Sequence, residues 1–343
     1  MCTRVLCARQ AILITLGLLC CAAPSGAAYH PLKRIVLGGE GGWDLLTVDA
    51  EARRLYIPRS SHILVVDADS CKIVGDILDT PGVHGVAVAQ DLGRGFSSNG
   101  GDSSATIFDL KDLKPLGKVR TGIRPDAIVY DPASRRVFTM NAGSRDATAI
   151  DAVHGKVAGT VILGGRPELA AVDGKGRLYV NLEDSSAVAV VDTRALKVVA
   201  HWSLAPGLEP TGLALDREHQ LLFAVCGNQL MVVMSAVDGK VVTTLPIGNG
   251  VDGVAFDPEK GLAFSSNGEG SLTVVKEEAP DRLRVLDTVS TQTGARTLAL
   301  DERTHRLFLV TAEFGPVPEP TAEHPHPRRP TVPGSFVLLV VGE

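Results

Sequence analysis

Residues 167–204, PELAAVDGKGRLYVNLEDSSAVAVVDTRALKVVAHWSL, contain four short apolar segments separated by polar turns. Each segment has five or six residues rich in Val, Ala and Leu, and Asp or Gly marks most of the breaks between them. This pattern predicts four antiparallel β-strands joined in a meander. Because a sheet this small cannot bury both of its faces alone, it requires neighbours of the same kind.

The rest of the chain supplies those neighbours as repeats of the same unit. The first predicted strand of the unit recurs along the chain at steps of 40–44 residues. Its seven copies are DLLTVD ending at Asp49, HGVAVA at Ala89, DAIVYD at Asp131, ELAAVD at Asp173, TGLALD at Asp216, DGVAFD at Asp257 and RTLALD at Asp301. Seven such units predict an all-β fold, a seven-bladed β-propeller of four-stranded antiparallel blades.

The two ends of the chain predict how the ring closes. The seventh unit has no fourth strand, and residues 33–38 (KRIVLG) form a strand that belongs to no unit. We expect residues 33–38 to pair with residues 336–341, which removes the exposed edges of an open array. Residues 29–343 would then form a single propeller domain.

Residues 1–28 have the pattern of a secretory signal peptide. Arg4 and Arg9 precede the apolar run AILITLGLLCCAA, and small residues follow it. A lipid anchor at Cys20 or Cys21 is the alternative, although small residues do not precede either cysteine as lipidation prefers. The apolar run is too short to span a bilayer comfortably. We therefore expect an exported protein of the periplasm or extracellular space that is not an integral membrane protein.

Composition limits the class of partner. The chain has 34 basic and 39 acidic side chains, and loss of Arg4 and Arg9 with the signal peptide would make its net charge more negative. An acidic surface argues against an obligatory nucleic-acid partner, because phosphate binding depends on clustered Lys and Arg. Outside residues 1–28 only Cys71 and Cys226 remain, in distant repeats, so we expect no disulfide between them.

Aspartate ends the first strand in six of the seven repeats, for example in Asp131-Pro132 and Asp257-Pro258. A short carboxylate at this place accepts hydrogen bonds from nearby backbone N–H groups and shapes a type I turn. Because the residue recurs at equivalent turns, we interpret it as structural rather than as catalytic or metal-binding.

The repeat resembles that of a known family. The segments RLYV, VAVVD and GKVVTTLPIG are similar to the YVTN-type, WD40-like β-propeller repeat. Over residues 30–343 the chain resembles the YncE-like family of exported seven-bladed propellers. This resemblance implies an exported protein with a binding surface, and it implies no catalytic residues, because propellers host many activities.

The loops that enter the first strands predict where a binding site lies. Strand direction alternates within a blade, so these loops share one face with the loops that join second and third strands. They place one side chain per blade at the mouth of the central channel, namely Asp44, His84, Asp126, Glu168, Thr211, Asp252 and Arg296, with Trp43, Arg124 and Arg166 close by in sequence. We expect a polar funnel that binds a small polar ligand, a cation or a charged segment of a partner. The alternative is that these side chains are only solvated.

Two further features lie on this predicted funnel face. Second strands end near Asn99, Asn141, Asn181, Asn228 and Asn267, which we interpret as structural residues of turns with positive φ. Residues 312–334 form a long Pro-rich loop in blade seven, which we expect to cover the funnel or to dock a partner. Its His324 and His326 are candidate metal ligands, but a tight site needs three or four ligands and spacing shows no others. We therefore predict no metal site.

The leading functional hypothesis is a non-enzymatic binding protein, a monomer whose funnel face binds a protein, a peptide or a small polar ligand. No C-x-x-C-H, G-x-S-x-G, H-E-x-x-H or P-loop motif is present, so we predict no cofactor. The alternative is a lactonase- or hydrolase-like propeller, with Glu168 or His84 as general base and Arg296 or Arg124 as polariser of a carbonyl oxygen. A structural module of a larger assembly is the third hypothesis.

Overall fold

The computed structural model describes residues 28–321, 327 and 329–343. Within these ranges 28 strands form seven four-stranded antiparallel sheets, which confirms the predicted seven-bladed propeller. No helix in the same ranges has the length and apolar character needed to cross a membrane. The predicted signal peptide lies outside the described residues except for Ala28, as do His324 and His326.

The strands follow one another from the first to the fourth in each blade. β1 (His30–Val36) precedes the blades. Blade one contains β2 (Thr47–Asp49), β3 (Arg54–Arg59), β4 (His62–Asp67) and β5 (Ile73–Ile77). Blade two contains β6 (Val83–Ala89), β7 (Arg94–Asn99), β8 (Ser104–Asp109) and β9 (Pro115–Arg120). Blade three contains β10 (Pro125–Asp131), β11 (Arg136–Asn141), β12 (Asp146–Asp151) and β13 (Lys156–Ile162).

The remaining blades repeat this order. Blade four contains β14 (Pro167–Val172), β15 (Arg177–Leu182), β16 (Ala187–Asp192) and β17 (Lys197–Ser203). Blade five contains β18 (Pro210–Asp216), β19 (Leu221–Cys226), β20 (Leu230–Ser235) and β21 (Val241–Pro246). Blade six contains β22 (Val251–Asp257), β23 (Leu262–Asn267), β24 (Ser271–Ala279) and β25 (Arg282–Ser290). Blade seven contains β26 (Leu298–Asp301), β27 (Arg306–Thr311) and β28 (Val337–Gly342).

Blade seven is completed by the other end of the chain. β1 pairs with β28 in antiparallel register, from His30 opposite Gly342 to Val36 opposite Val337. The predicted ring closure is therefore confirmed, with the strand boundaries shifted by one to three residues from 33–38 and 336–341.

The hydrophobic core consists of layers between adjacent blades. Seven clusters of buried side chains occupy the seven interfaces among the described residues. Within β3, Leu55 and Ile57 face blade seven and Tyr56 faces blade two, as the two-residue period of a strand requires. In each blade the second strand carries one aromatic side chain that packs toward the following blade. These side chains are Tyr56, Phe96, Phe138, Tyr179, Phe223, Phe264 and Phe308.

The aspartates at the ends of first strands form the predicted turns. Asp49 Oδ1 accepts hydrogen bonds from the backbone N–H groups of Glu51 and Ala52 at 3.1 and 2.9 Å. Equivalent bonds occur at Asp131, Asp173, Asp216, Asp257 and Asp301. Blade two has Ala89 at this position and turns instead through a 3-10 turn at Gln90–Leu92. A local carboxylate thus sets the same turn in six blades.

Both cysteines of the described residues are buried, and neither forms a disulfide. Cys71 packs between blades one and seven, and Cys226 packs between blades four and five. Burial raises the pKa of the Cys226 thiol to about 12. Cys226 therefore behaves as a small buried hydrophobic residue.

Removal of β1 tests the contribution of ring closure. A chain that begins at Leu37 would leave one edge of β28 unpaired, and every residue of β28 is buried. We expect it to melt at least about 10 °C below a chain that begins at Ala28, and to associate through the open edge. Circular dichroism melting and size-exclusion chromatography measure both effects. Equal melting temperatures would show that this pairing contributes little.

Candidate binding site at the channel mouth

A break in strand register coincides with the predicted mouth residue in five blades. β6, β10, β14, β18 and β22 each show a register shift near their first residues. The mouth residues at these shifts are His84, Asp126, Glu168, Thr211 and Asp252. Because a bulge changes the direction in which a side chain points, this feature orients the site. Asp44 and Arg296 lie in the loops before β2 and β26.

His84 joins the mouth residues of three successive blades. Its Nδ1 lies 2.6 Å from Asp44 Oδ2, in hydrogen-bonding distance, and 3.7 Å from Asp126 Oδ1. The hydrogen bond to Asp44 raises the pKa of His84, as does the charge of Asp126. Burial raises the pKa of the Asp126 carboxyl, and the negative charge of Asp44 adds to this effect. Ligand atoms of Asp44, His84 and Asp126 lie within 4.8 Å of one another, so these three side chains also form a candidate cation site.

Glu168 lies in a second group of charges. Arg166 Nη2 is 3.1 Å from Glu168 Oε1, and Arg166 Nη1 is 2.5 Å from Glu183 Oε2. Despite this arginine, burial together with the charges of Asp126 and Glu183 raises the pKa of Glu168 to about 8. Glu183 belongs to a 3-10 turn after β15. Sequence reasoning missed it, although its loop joins a second to a third strand and therefore lies on the funnel face.

Asp252 and Arg296 form the third charged group. Arg296 Nε lies 3.1 Å from Asp252 Oδ2. Burial nevertheless raises the pKa of Asp252 to about 7, with contributions from the charges of Asp44 and Asp126. The neighbouring Thr211 is bound to the scaffold, because its hydroxyl donates to the backbone oxygen of Val251 at 3.3 Å.

Besides Thr211, two of the predicted residues do not join these groups. Trp43 packs against Phe336 and Phe314, with ring centroids 5.4 and 6.2 Å away, so it connects the base of the 312–334 loop to the ring. The Arg124 side chain is exposed and forms no ion pair within the described part of the chain. Its charge still acts on the pKa values of His84 and Asp126.

Below the mouth the central channel is mainly aliphatic. It has a volume of about 430 Å³ and is lined by first-strand side chains of all seven blades, such as Val86, Ala170 and Leu215. Arg217 and Glu302 line the channel as well and lie beyond the far ends of β18 and β26. A ligand at the mouth would therefore meet carboxylates first and an apolar passage behind them.

The asparagines near the ends of second strands are mostly structural. Asn99, Asn141, Asn181 and Asn267 are fully buried, whereas Asn228 is exposed. Asn99 Nδ2 donates to Ser104 Oγ and Thr106 Oγ1, which ties the second strand to the third. The structural interpretation holds, and these loops do contain positive φ, which occurs at Ser103, Arg145, Ser186, Gln229 and Gly270 rather than at the asparagines.

The long loop of blade seven is fastened at its base. Phe314 and Thr331 form an isolated bridge, and the Gly315 N–H donates to the Pro330 oxygen at 2.8 Å. Arg329 Nε donates to the Gly315 oxygen at 2.9 Å. His324 and His326 lie outside the described residues, so the absence of a metal site at these histidines stays a prediction.

The raised pKa of Glu168 makes folding stability depend on pH. The unfolded chain loses this proton near its ordinary value of 4.5, and the folded chain retains it until about pH 8. Between these values the folded state binds more protons, so stability falls as pH rises, by up to about 1.4 kcal/mol per pH unit. We expect Glu168→Gln to flatten this decline between pH 5 and 8 in urea unfolding. The exposed control Glu51→Gln should keep the wild-type slope, and equal slopes for all three proteins would contradict the assignment.

Comparison with known proteins supports the fold. No protein-family model matches the sequence, and no curated protein matches it significantly. Kuenenia stuttgartiensis hydrazine synthase has a similar structure, with a TM-score of 0.67 and 16% identity over 78% of this chain and 92% of that chain. A chain of the mitotic checkpoint complex has a TM-score of 0.71 and 15% identity, over 90% of this chain and 95% of that chain. U3-55K has a TM-score of 0.73 and 11% identity, over 89% of this chain and 97% of that chain. At these identities the likeness shows the fold alone, a seven-bladed propeller similar to WD40-type propellers.

Proposed function

We propose that this protein is an exported, non-enzymatic binding scaffold whose channel mouth binds the cationic group of a peptide, a protein segment or a small ligand. The observation that carries the proposal is the crowding of buried carboxylates at the mouth. Burial raises the pKa values of Glu168 and Asp252 to about 8 and about 7, and the negative charges of neighbouring carboxylates, Asp126 among them, add to this effect. A bound cation would relieve this repulsion.

The charges at the mouth favour a cation over an anion. Arg166 and Arg296 each pair with carboxylates already present, and His84 is bonded to Asp44. Five carboxylates contribute to this region, Asp44, Asp126, Glu168, Glu183 and Asp252. An ammonium or guanidinium group can donate hydrogen bonds to several of them at once, since it carries three or more N–H donors.

The channel behind the mouth suits the remainder of such a ligand. Its wall is mainly aliphatic and its volume is about 430 Å³, which is within the range of small-molecule sites. A ligand with a cationic head and an apolar stem, such as a lysine side chain or an alkylamine, would place each part against a matching surface.

The family and the cellular location belong to the same proposal. The YVTN-type repeat supports membership of the YncE-like family, and the pattern of residues 1–28 supports export to the periplasm or extracellular space. We propose that the protein acts there as a monomer. Expression with and without residues 1–28, followed by cell fractionation, tests the location.

A thermal-shift comparison tests the ligand class. The probes are a lysine-containing peptide, its acetyl-lysine counterpart, hexylamine and hexanol. We expect the charged member of each pair to stabilise the protein, by about 2.7 kcal/mol at a concentration of one hundred times its Kd. The effect should grow from pH 6 to pH 9, because Glu168 and Asp252 ionise with pKa values of about 8 and about 7.

Matched variants locate the binding. The double variant Asp126→Asn, Glu168→Gln should lose the shift, whereas Asp112→Asn, in an exposed turn at the far face, should retain it. Equal shifts from charged and neutral probes, or an undiminished shift in the double variant, would refute the proposed ligand class.

A hydrolase is the second candidate function, and the His84–Asp44 hydrogen bond of 2.6 Å favours it. A carboxylate that orients an imidazole is the arrangement of a general base. If this hypothesis is correct, lactone or ester hydrolysis should fall about 100-fold or more in His84→Gln and remain unchanged in Asp112→Asn. Under the binding proposal we expect no hydrolysis above the spontaneous rate.

A further inference from the structure

The turn aspartates on the face opposite the mouth receive basic side chains from the following blade at two interfaces. Asp257 Oδ2 of blade six lies 2.7 Å from His305 Nδ1 of blade seven. Asp301 Oδ2 of blade seven lies 2.8 Å from Arg53 Nη2 of blade one. His305 and Arg53 occupy equivalent positions just before a second strand, with φ values of 55° and 54°. A buried carboxylate is thus paired with a basic side chain across each of these interfaces.

The interface between blades five and six lacks this basic side chain. Its turn aspartate is Asp216, which is 1% exposed. The position equivalent to Arg53 and His305 in blade six is Gly261, with φ of 59°. The missing side chain leaves a cavity of about 260 Å³ lined by Asp216, His219, Gly261 and Glu277, among others.

Glu277 is a buried carboxylate without a hydrogen bond. It is 7% exposed, and neither of its carboxylate oxygens has a hydrogen-bond partner within the described ranges. His219 Nδ1 lies 2.8 Å from Glu277 Oε1 and 2.8 Å from Asp216 Oδ2. A single Nδ1 hydrogen can serve only one of these two carboxylates at a time. The ammonium group of the nearby Lys276 donates a hydrogen bond to the Lys260 backbone oxygen at 2.6 Å.

These three side chains are arranged as metal ligands are. One ligand atom from each of Asp216, His219 and Glu277 lies within 4.8 Å of the other two. Ligands with bonds of about 2.1 Å to one ion lie roughly 3.0–3.4 Å apart, so a small movement of the side chains from the 2.8 Å found here would admit an ion. One imidazole nitrogen and two carboxylate oxygens are a donor set for zinc and similar divalent transition metals. Two buried carboxylates that share one imidazole are incompletely compensated, and such an ion would compensate both of them.

We propose that Asp216, His219 and Glu277 bind a divalent transition-metal ion between blades five and six. The ion takes the place of the basic side chain that His305 and Arg53 provide at the next two interfaces. Because Asp216 and His219 belong to blade five and Glu277 to blade six, the ion connects two blades. This site lies on the face opposite the mouth and is independent of the function proposed above.

Isothermal titration with Zn²⁺ tests the site. The purified protein should bind at this place with 1:1 stoichiometry, and Glu277→Gln or His219→Gln should remove one site or weaken it about 100-fold or more. The matched control is His154→Gln. His154 Nδ1 lies 2.9 Å from Asp151 Oδ2 at the same spacing in sequence, and no third ligand accompanies that exposed pair in the described residues. We expect it to bind Zn²⁺ as the wild type does.

Gly261→Arg supplies a test that keeps all three ligands. Arg53 and Arg135 already adopt a similar φ in this protein, so an arginine at position 261 should reach Asp216 and exclude the ion. We expect this variant to lose the site and to melt above the metal-free wild type. The variant His84→Gln removes one ligand of the candidate cation site at the mouth. Comparing it with the wild type therefore distinguishes Zn²⁺ binding at the mouth from binding between blades five and six. The proposal is overturned if the wild type binds no Zn²⁺, or if Glu277→Gln, His219→Gln and Gly261→Arg retain the wild-type number of sites and affinity.

Discussion

The ring depends on the contact that each second strand makes with the following blade. One aromatic side chain per blade, from Tyr56 in blade one to Phe308 in blade seven, is inserted into the next interface in the same direction around the ring. Loss of a buried aromatic side chain typically costs about 3–5 kcal/mol. No blade has a core of its own, because each sheet covers half of two neighbouring layers. The stability of a blade is therefore inseparable from that of its neighbours, and the mouth is held by the same seven layers.

The fold could be predicted because its signals are local and repeated. Alternating apolar residues, an aspartate at the strand end and a near-constant period are visible in the sequence, and residues 33–38 had no partner other than the last strand. The observed boundaries of the closing strands differ from the predicted ones because the last paired residues depend on the register. The register of β1 is irregular between Pro31 and Lys33. The aromatic series was also present in the sequence, but its common direction becomes visible only in the packed ring.

The mouth could be predicted as a set of positions but not as a set of contacts. Strand direction assigns His84, Asp126 and Glu168 to one face, whereas their separations depend on bulges and on the curvature of the ring. Burial, which dominates the pKa of Glu168, likewise follows from the assembled structure. The asparagines illustrate a related limit. Asparagine as a residue type is common in turns. The Asn99 amide is instead buried and donates hydrogen bonds to two hydroxyls of the next strand.

The pairing of β1 with β28 also determines how the molecule responds to force. His30 lies opposite Gly342, so the outer ends of the two closing strands are adjacent. Tension applied between these ends would pull the strands apart from one side, and each hydrogen bond would bear the force in turn. A shear geometry, in which all bonds resist together, would need the ends to lie at opposite sides of the pair. We therefore expect this pair to separate bond by bond at low force when the molecule is extended by the outer ends of β1 and β28.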